Sequence, residues 1–414
     1  AGRKGEWAEE MQGKKWPDPE NCAFTFRGFN IRRKHGKIGM QNGIQNFLAY
    51  INTNGYPFPQ VWILKPQFGF GQTGIRMVAL SRRDVLSQPN FLSWAETEII
   101  EGEWTLQEYL MLPSLYQDRK FDMRVWAVVT SLNPLRIWLQ RRVFPKISTV
   151  VYNHTVFHMF DRCMHFKLPA DENCNSNNLV KPYPGHTDQE RFKRNLHHYP
   201  SLEPVKYDWD KDILPRIGYR LAQSLLLAIP RPLRLSAKLD SARRNYRRYA
   251  FLSPDFIIDT DGRAWMIEMN TNGFMVGDSH PQFFRAQKDT MVAMKLIGID
   301  DFPYKEAYQD DMDSLIESFC ATRLSPCSDK EVYELEHLIH EEQHSYGWIR
   351  VFPYQDHVAE TRRMYEKYAA VDPGDLNTLT WAFMDYRNKL AAKNGVPEKG
   401  PRPDFWTMNN VETW

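Results

Sequence analysis

The sequence predicts an α+β fold in which hairpin-linked strands are combined with helices. Two short apolar runs, 256–258 and 265–267, flank Asp261-Gly262, which is typical of a two-residue turn between antiparallel strands. Apolar side chains recur at helical spacing over residues 209–229. The capping-box pattern at 328–331 predicts the start of another helix.

Composition and charge limit the classes of partner. Of the 414 residues, 42% are hydrophobic and 25% are charged, as in globular proteins with one large or two modest domains. The net charge of +2 gives no reason to expect a nucleic-acid partner or strong attraction to a membrane. No apolar run approaches the roughly 20 residues that a spanning helix needs, so we expect no membrane span.

The number and spacing of the cysteines predict their chemical state. Five are present, and none belongs to a C-x-x-C pair (Cys22, Cys163, Cys174, Cys320 and Cys327). This pattern favours reduced thiols in a reducing compartment. Zinc is a weaker alternative, because Cys163, His165 and Cys174 lie close together but lack a second pair of ligands.

Residues 1–58 predict an N-terminal arm and a short lead-in. Residues 1 to about 25 are polar, have no signal-like apolar segment and contain too many acids for a transit peptide. The missing initiator Met leaves open a presequence that has already been removed. Residues 24–56 are first basic and then apolar.

A predicted strand, a glycine-rich loop and a second strand follow. Residues 61–64 are a compact apolar run, and Ile75–Leu80 is the second strand. Between them, Lys65 and the glycines of the loop can close over an anion, because glycine lets backbone N–H groups approach phosphates. The loop is not a Walker A motif, since no Gly-Lys-Ser/Thr follows the glycines. Turn geometry alone is the alternative.

Alternation over Lys120–Val129 sets charged side chains on one face of a strand and apolar side chains on the other. The charged face carries Lys120, Asp122 and Arg124. Such a row is costly to bury without a ligand. The alternative is an exposed sheet face with paired charges.

The hairpin at 256–267 places three oxygen-bearing side chains together. Asp255 lies near the start of the first strand, and Glu268 and Asn270 lie near the end of the second. Glu268 and Asn270 are two residues apart and so leave the same face. Two carboxylates and an amide oxygen suit Mg²⁺ held between protein and nucleotide phosphates. A surface hairpin with outward polar residues is the alternative.

The later segments carry less chemical information. Residues 169–186 predict a loop, and 282–296, 360–370 and 376–393 predict helices before a proline-rich, aromatic tail from Gly395. A basic helix face is most simply solvated, with docking of an acidic peptide tail as the functional alternative (Lys238, Arg243, Arg244, Arg247 and Arg248).

Several of these motifs, in order, resemble the tubulin–tyrosine ligase-like (TTLL) family. KFDMRVW at 120–126, LRIWL at 135–139, DFIID at 255–259, IEMN at 267–270 and GWIRVFP at 347–353 are similar to family segments. The resemblance implies an ATP-grasp-like α+β fold, with two antiparallel sheets and flanking helices enclosing a nucleotide cleft. It also implies a family domain over 59–355, followed by C-terminal helices and a tail over 356–414.

The resemblance also implies roles for individual residues. Asp255, Glu268 and Asn270 would bind Mg²⁺, and Arg124 and Lys146 would act on the phosphates of ATP as catalytic cations. The nucleotide itself would be held by the flap lysine, the flap glycines, the hinge beside adenine and the charged strand face (Lys65, Gly71, Gly74, Gln107, Glu108, Tyr109, Leu110, Lys120 and Asp122).

The implied activity is ATP- and Mg-dependent ligation of an amino acid to a protein carboxylate through an acylphosphate. Its partner would be an acidic protein tail such as that of tubulin, in the cytoplasm, cytoskeleton or cilium. The amino acid and acceptor residues are not identified by the motifs.

Departures from the family pattern support a second hypothesis. Lys146 stands where the family has arginine, residues 71–75 read GQTGI instead of Arg-Gly-x-Gly-Ile, and His165 alone matches the His-Leu-Thr-Asn segment. Only about sixty residues precede Lys65. The alternative is a degenerate pseudoenzyme that serves as a structural subunit among neighbouring subunits of a large ciliary or organellar complex.

Overall fold

The structure is a computed structural model, and it describes part of the chain. The described residues are 26–40, 44–53, 60–67, 74–148, 150–153, 162–165, 192, 196–198, 201, 203–228, 249–270, 309–343, 345, 347–355, 357–369 and 374–394. Predictions outside the described residues are those for the arm before residue 26, the flap loop 68–73, the loop 169–186, the basic face at 238–248, the helix 282–296 and the tail from Gly395.

The first sheet is five-stranded and antiparallel, in the order β2-β1-β5-β3-β4. An apolar layer lies between this sheet and helices α1 and α2. The inward side chains of β1, β3 and β5 pack there against aromatic side chains of those helices. Phe47 of α1 and Phe91 of α2 are fully buried there. The predicted strands around 61–64 and 75–80 are confirmed. The elements are β1 (Gly28–Lys34), β2 (Lys37–Met40), α1 (Ile44–Thr53), β3 (Gln60–Pro66), β4 (Arg76–Leu80), α2 (Gln88–Glu98) and β5 (Gly102–Glu108).

The second sheet is built on two long strands, β7 and β8, which pair antiparallel over most of their length. Its main path runs β12-β11-β7-β6-β9, with β10 beside β7 and β13 beside β8. The prediction of two antiparallel sheets is confirmed. The strands are β6 (Ser114–Tyr116), β7 (Arg119–Leu132), β8 (Leu135–Ile147), β9 (Leu196–His198), β10 (Ala250–Leu252), β11 (Asp255–Ile258), β12 (Ala264–Glu268) and β13 (Trp348–Phe352).

Helices cover the apolar face of this second sheet. The segment predicted at 209–229 begins as a π-helical turn, Trp209–Ile213, and continues as α4. The capping box is also confirmed: the Ser328 N–H donates to Glu331 Oε2 (2.7 Å), and the Glu331 N–H donates to Ser328 Oγ (3.4 Å). The helices are α3 (Arg162–His165), α4 (Leu214–Ala228), α5 (Gln309–Ala321), α6 (Asp329–Gln343), α7 (Val358–Tyr368) and α8 (Gly374–Lys393).

The hairpin between β11 and β12 has a longer turn than predicted. The Asp259 N–H donates to the Arg263 carbonyl (3.1 Å), and the Gly262 N–H donates to the Asp259 carbonyl (3.0 Å). Gly262 has a φ of +75°, a conformation that glycine adopts without steric cost. The loop is therefore three residues, 260–262, and the expected two-residue turn at Asp261-Gly262 is wrong. A type I turn closed by a left-handed glycine is the usual three-residue solution.

A bulge sets the register at the other end of this hairpin. Phe256 pairs with Met266, but the register shifts between Asp255 and Phe256, so that Asp255 pairs with Glu268. Without the extra residue Asp255 would face Ile267. The expected proximity of Asp255 and Glu268 is confirmed, and the bulge is what aligns the two carboxylates.

A disulfide corrects the expectation of reduced cysteines. Cys320 and Cys327 are bonded, with their Cα atoms 5.6 Å apart, and Cys163 is also disulfide-bonded. The prediction of free thiols is therefore wrong for these three residues, and bonded Cys163 no longer fits the zinc alternative. The physical reason is that the end of α5 and the start of α6 bring two cysteines within bonding distance, which the spacing alone did not reveal.

A buried polar contact ties α6 to the second sheet. Glu341 accepts hydrogen bonds from Arg136 Nε (3.0 Å), Thr130 Oγ1 (2.9 Å) and Trp138 Nε1 (2.8 Å). Arg136 Nη1 also donates to Glu334 (3.1 Å). Arg136 and Glu341 are almost fully buried, so this ion pair is part of the core.

Within the described residues, the structure contains no helix with the length and apolar character that crossing a bilayer requires.

Candidate functional site

The centre of the site is Asp255, held by two cations from neighbouring strands. Asp255 on β11 lies opposite Arg124 on β7 in the strand register. Arg124 donates from Nε to Oδ1 (2.9 Å) and from Nη2 to Oδ2 (3.0 Å), and Lys146 Nζ donates to Oδ2 (2.9 Å). Charge-assisted bonds to both oxygens fix the orientation of this carboxylate.

Lys146 also contacts a second carboxylate. It lies opposite Asp122 in the β7–β8 register, and its Nζ forms an ion pair with Asp122 Oδ1. Asp122 and Arg124 are two residues apart on β7, and both point toward Asp255. The expectation that Lys120, Asp122 and Arg124 share one strand face is confirmed, because the alternate residues Phe121, Met123 and Val125 are fully buried in the core on the opposite face.

Burial and charge act in opposite directions on these groups. Burial raises the pKa of Asp255, but the charges and hydrogen bonds of Lys146 and Arg124 outweigh it and lower the pKa to about 2. Burial lowers the pKa of Lys146, yet Asp122 and Asp255 raise it overall. For Asp122, burial is the larger effect and the pKa is raised despite Lys146. The site therefore holds Asp255 ionised.

Glu268 and Asn270 complete the predicted oxygen cluster. Asn270 Nδ2 donates to Glu268 Oε1 and to the Ser253 carbonyl (both 3.2 Å). In the described part of the chain no donor is bonded to Asn270 Oδ1, so this oxygen can accept or coordinate. Two carboxylates and an amide are the hard donors that Mg²⁺ takes alongside phosphate oxygens and water. No group of three or more His, Cys, Asp or Glu side chains able to hold a metal occurs among the described residues.

Lys120 and Lys65 add two more cations at the junction of the two sheets. Lys65 on β3 donates to Gln107 Oε1 on β5 (2.6 Å), and Lys120 Nζ lies 4.4 Å from the ring centre of Tyr109. Both ammonium groups are buried. Burial lowers the pKa of Lys120 to about 7; Asp122 opposes this shift, and the charges of Lys65 and Lys146 add to it. An ammonium group whose pKa is lowered by neighbouring cations would gain from a bound polyanion.

The hinge predicted at Gln107–Leu110 begins with the last two residues of β5. Glu108 accepts from the Arg27 N–H (3.0 Å) and from the Tyr50 hydroxyl, and the Glu108 N–H donates to the Arg27 carbonyl (2.8 Å). The Arg27 guanidinium lies 4.3 Å from the ring centre of Tyr50. The hinge is thus fixed by residues that precede it by 58 and 81 positions.

The flap is described only at its ends. Gly74 has a φ of +76°, and a Cβ atom there would lie 3.4 Å from Pro66 Cγ, so glycine suits this return of the chain beside Lys65. Gly71 lies outside the described residues. The structure brings together most of the remaining predicted side chains: the cations, carboxylates and amide described above, and the hinge at the end of β5.

Some contributors were missed by reasoning from the sequence. Tyr50 and Arg27 were not identified, because their contacts with Glu108 join distant segments and carry no local pattern. Lys146 was assigned to phosphates, whereas here it bridges Asp122 and Asp255. The only signal for that bridge was the alternation of charges on β7, which gave a face but not the pairing with β8.

The chain is similar in sequence to known proteins. The sequence model of the tubulin-tyrosine ligase family matches residues 37–282, more than half of the chain. Tubulin monoglycylase TTLL3 of Danio rerio is 24% identical over 227 residues, covering 52% of this chain and 26% of the relative. Tubulin glycylase 3B of Tetrahymena thermophila is 27% identical over 233 residues, covering 54% of this chain and 16% of the relative.

A third relative matches a larger share of the chain. Tubulin polyglutamylase TTLL13 of Mus musculus is 24% identical over 334 residues, covering 72% of this chain and 39% of the relative. The chain thus spans well under half the length of each of these relatives.

Proposed function

Because the chain belongs to the tubulin-tyrosine ligase family, we propose that it binds ATP with Mg²⁺ and ligates an amino acid to a protein carboxylate. The observation that supports this most directly is the convergence of unlike charges at one place. Lys65, Lys120, Arg124 and Lys146 face Asp122, Asp255 and Glu268 at the junction of the two sheets. A metal–polyphosphate complex carries both of the charges that such a site complements.

The side chains divide naturally between metal and phosphate. Asp255, Glu268 and Asn270 would hold Mg²⁺, since their oxygens are the hard donors of the cluster. Arg124 presents a planar fork suited to phosphate oxygens, and Lys65 acts as a point charge from the flap side. ATP and its metal would supply a phosphoryl group that activates an otherwise unreactive carboxylate.

The remaining residues position the nucleotide. The backbone at 107–110 would contact the edge of adenine, and Asp122 would bond the ribose. Lys120 would lie between adenosine and phosphates, and its stacking on Tyr109 restricts its position. Arg124 and Lys146 would then compensate the negative charge that develops as the acyl phosphate forms and as an amine displaces phosphate from it.

The acceptor is proposed from the relatives. They are named as tubulin glycylases and a tubulin polyglutamylase, so we propose an acidic protein tail such as that of tubulin as the acceptor. With such an acceptor, the activity would lie at the cytoskeleton or cilium. The amino acid would be glycine or glutamate if the chain acts as those relatives are named.

The second candidate is a nucleotide-binding subunit without turnover. Its supporting observation is that both oxygens of Asp255 are already engaged by Arg124 and Lys146. A site balanced in this way is stable without metal and could persist for structural reasons.

Nucleotide binding is the first test. At 100 times its Kd, a ligand should stabilise the fold by about 2.7 kcal/mol, so thermal unfolding with ATP and Mg²⁺ should shift upward. Asp255→Asn should remove the shift. Asp261→Asn, in the exposed turn of the same hairpin, is the matched control and should retain it. The absence of any shift in the unmodified protein would contradict nucleotide binding.

Turnover is the second test. Radiolabelled glycine, glutamate and tyrosine are each incubated with the protein, ATP, Mg²⁺ and tubulin, and label on tubulin is counted. Label that depends on ATP and on Asp255 supports the ligase. A nucleotide-induced thermal shift with no label from any of the three amino acids favours the non-catalytic subunit.

A further inference from the structure

The Cys320–Cys327 disulfide occupies a distinctive position between two helices. Cys320 is the next-to-last residue of α5, and Cys327 directly precedes Ser328, the capping residue of α6. The bridge therefore ties the end of one helix to the start of the next. Nothing in the proposed ligase activity uses it.

A cation lies against one of the two sulfur atoms. Arg323 Nη1 donates to Cys327 Sγ (3.3 Å) and to Glu331 Oε1 (2.9 Å). Glu331, which also accepts hydrogen bonds from Ser328, is the carboxylate paired with this guanidinium. Cys327 Sγ thus lies beside both a positive side chain and the positive end of the α6 dipole. Both features stabilise a thiolate.

Cys320 and Cys327 are both half-buried, and the loop between them is exposed. The intervening residues 321–326 are exposed except for half-buried Arg323, and Leu324 is fully exposed. A cleft of about 740 Å³ opens beside them, lined on one side by Phe319, Arg323 and Glu331 and on the other by residues of α8. The two cysteines do not line this cleft, so a small dithiol, or the exposed cysteine pair of a partner protein, would approach the half-buried sulfur atoms from the exposed loop between them.

We propose that Cys320–Cys327 is a thiol–disulfide exchange site that accepts two electrons from a dithiol. A thiolate of the dithiol attacks Cys320 Sγ, the Cys320–Cys327 bond breaks, and Cys327 leaves as a thiolate beside Arg323. The second thiol of the dithiol then attacks the mixed disulfide, forming the oxidised dithiol and releasing Cys320, and solvent protons complete the two thiols.

The direction of attack follows from the surroundings of the two sulfur atoms. The better leaving group is the thiol with the lower pKa, and the Arg323 contact is with Cys327 Sγ. Exchange releases the end of α5 from the start of α6, while the capping box of α6 stays intact. Because none of these steps involves ATP or an acceptor protein, the site can be tested independently of ligase activity.

The first experiment maps the thiols by mass spectrometry. The full chain, purified without reductant, is treated with N-ethylmaleimide before and after dithiothreitol under native conditions. We expect no label on Cys320 or Cys327 before the dithiol and label on both afterwards. Label on both in the untreated protein, or resistance to the dithiol until the protein is unfolded, would overturn the proposal.

The second experiment tests the role of Arg323. Arg323→Gln should slow reduction by dithiothreitol about three- to tenfold, because the leaving thiolate loses its cation, and Arg323→Lys should restore most of the rate. Arg363→Gln, on α7 and paired with Glu360, is the control and should react as the unmodified protein does. Equal rates in the Arg323→Gln variant and the unmodified protein would contradict the assignment.

Variants that each lack one cysteine of this pair separate the two sulfur atoms. The pH at which the alkylation rate is half-maximal should be lower for Cys327 in the Cys320→Ser variant than for Cys320 in the Cys327→Ser variant. The reverse order would overturn the proposed leaving group. Far-UV circular dichroism of both variants checks that the helices remain.

Discussion

Lys146 is the residue on which the balance of the site depends. Its ammonium lies between Asp122 and Asp255, where it offsets the repulsion of two partly buried carboxylates. Lysine serves this bridging role as a compact point charge, whereas arginine would impose a planar fork.

Removing this ammonium should expose a cation site. In Lys146→Met, Asp122 and Asp255 lose their shared counter-charge. Mn²⁺ without nucleotide should therefore bind this variant about tenfold more tightly than it binds the unmodified protein, a difference in binding free energy of about 1.4 kcal/mol. Titration with Mn²⁺ followed by electron paramagnetic resonance measures the affinity. Lys146→Arg keeps the charge and should bind Mn²⁺ as the unmodified protein does. Equal affinity in the Lys146→Met variant and the unmodified protein would show that the ammonium does not compete for the carboxylates.

Lys120 should give the stability of the protein a particular pH dependence. Its pKa is lowered to about 7 in the folded state, chiefly by burial, and is about 10.4 when unfolded. Between these values the unfolded chain binds the additional proton, so stability rises with pH in this window and the cost of burying the charge is greatest below pH 7.

Between pH 7 and 9, this effect should raise the free energy of unfolding by about 2 kcal/mol. Lys120→Met should lack it, so urea unfolding of the two proteins should differ in slope against pH over that range. Lys330→Met, at an exposed position of α6, is the control and should follow the unmodified protein. Parallel curves for the Lys120→Met variant and the unmodified protein would count against the lowered pKa.

Among the individual elements, strand β5 is important for the site because its last two residues belong to the predicted hinge. Its last residue, Glu108, is bonded to Arg27 and Tyr50, so the residue before β1 and helix α1 fix the position of the segment that would contact adenine. The N-terminal part of the chain can therefore contribute to the site without touching the nucleotide.

Glu108→Ala should weaken nucleotide binding more than turnover. The hinge loses two hydrogen bonds that orient it, so we expect Kd for ATP to rise about three- to tenfold, consistent with about 1 kcal/mol for a net hydrogen bond. Isothermal titration calorimetry measures this change. Glu103→Ala, at another position of β5, removes a half-exposed ion pair with Arg32 of β1 and should leave Kd unchanged. Equal effects of the two substitutions would argue against a positioning role for Glu108.

The elements also show which features a sequence can predict. Alternation identified the face of β7 because side chains of a strand alternate regardless of its partners. Partners and register were harder. The hairpin turn was expected at two residues and has three, and the bulge beside Asp255 was not anticipated, because both depend on how β11 meets β7 as well as β12. The thiol state of Cys320 was mispredicted because it follows from the meeting of two helix ends.

At the scale of the whole molecule, contacts between distant segments hold the sheets to the C-terminal helices. Glu341 bonds to Thr130, Arg136 and Trp138, more than 200 positions earlier. No local pattern in either segment predicted this pairing, since Glu341 is one of many acids on an amphipathic helix. The family motifs indicated the order of segments along the chain but not this anchoring.

Replacing Glu341 should destabilise the whole fold. Glu341→Ala leaves the buried Arg136 with Glu334 alone and deprives Thr130 and Trp138 of their acceptor, and losing one partner of a buried pair costs about 3–5 kcal/mol. Urea unfolding measures the change. Glu360→Ala, which breaks a surface pair on α7, should cost no more than about 1 kcal/mol. A similarly small loss of unfolding free energy in both variants would mean that the buried pair contributes little to stability.

The position of Glu341 has a practical consequence for anyone shortening this protein. The stretch that matches the family ends at residue 282, and a domain boundary drawn there looks natural from the sequence. Yet a fragment cut at that point would keep Arg136 in its core and would lack Glu334 and Glu341, the two carboxylates that pair with it. Such a fragment should be recovered as insoluble or degraded material, whereas one extending through residue 393 retains α6 together with the helices packed beside it.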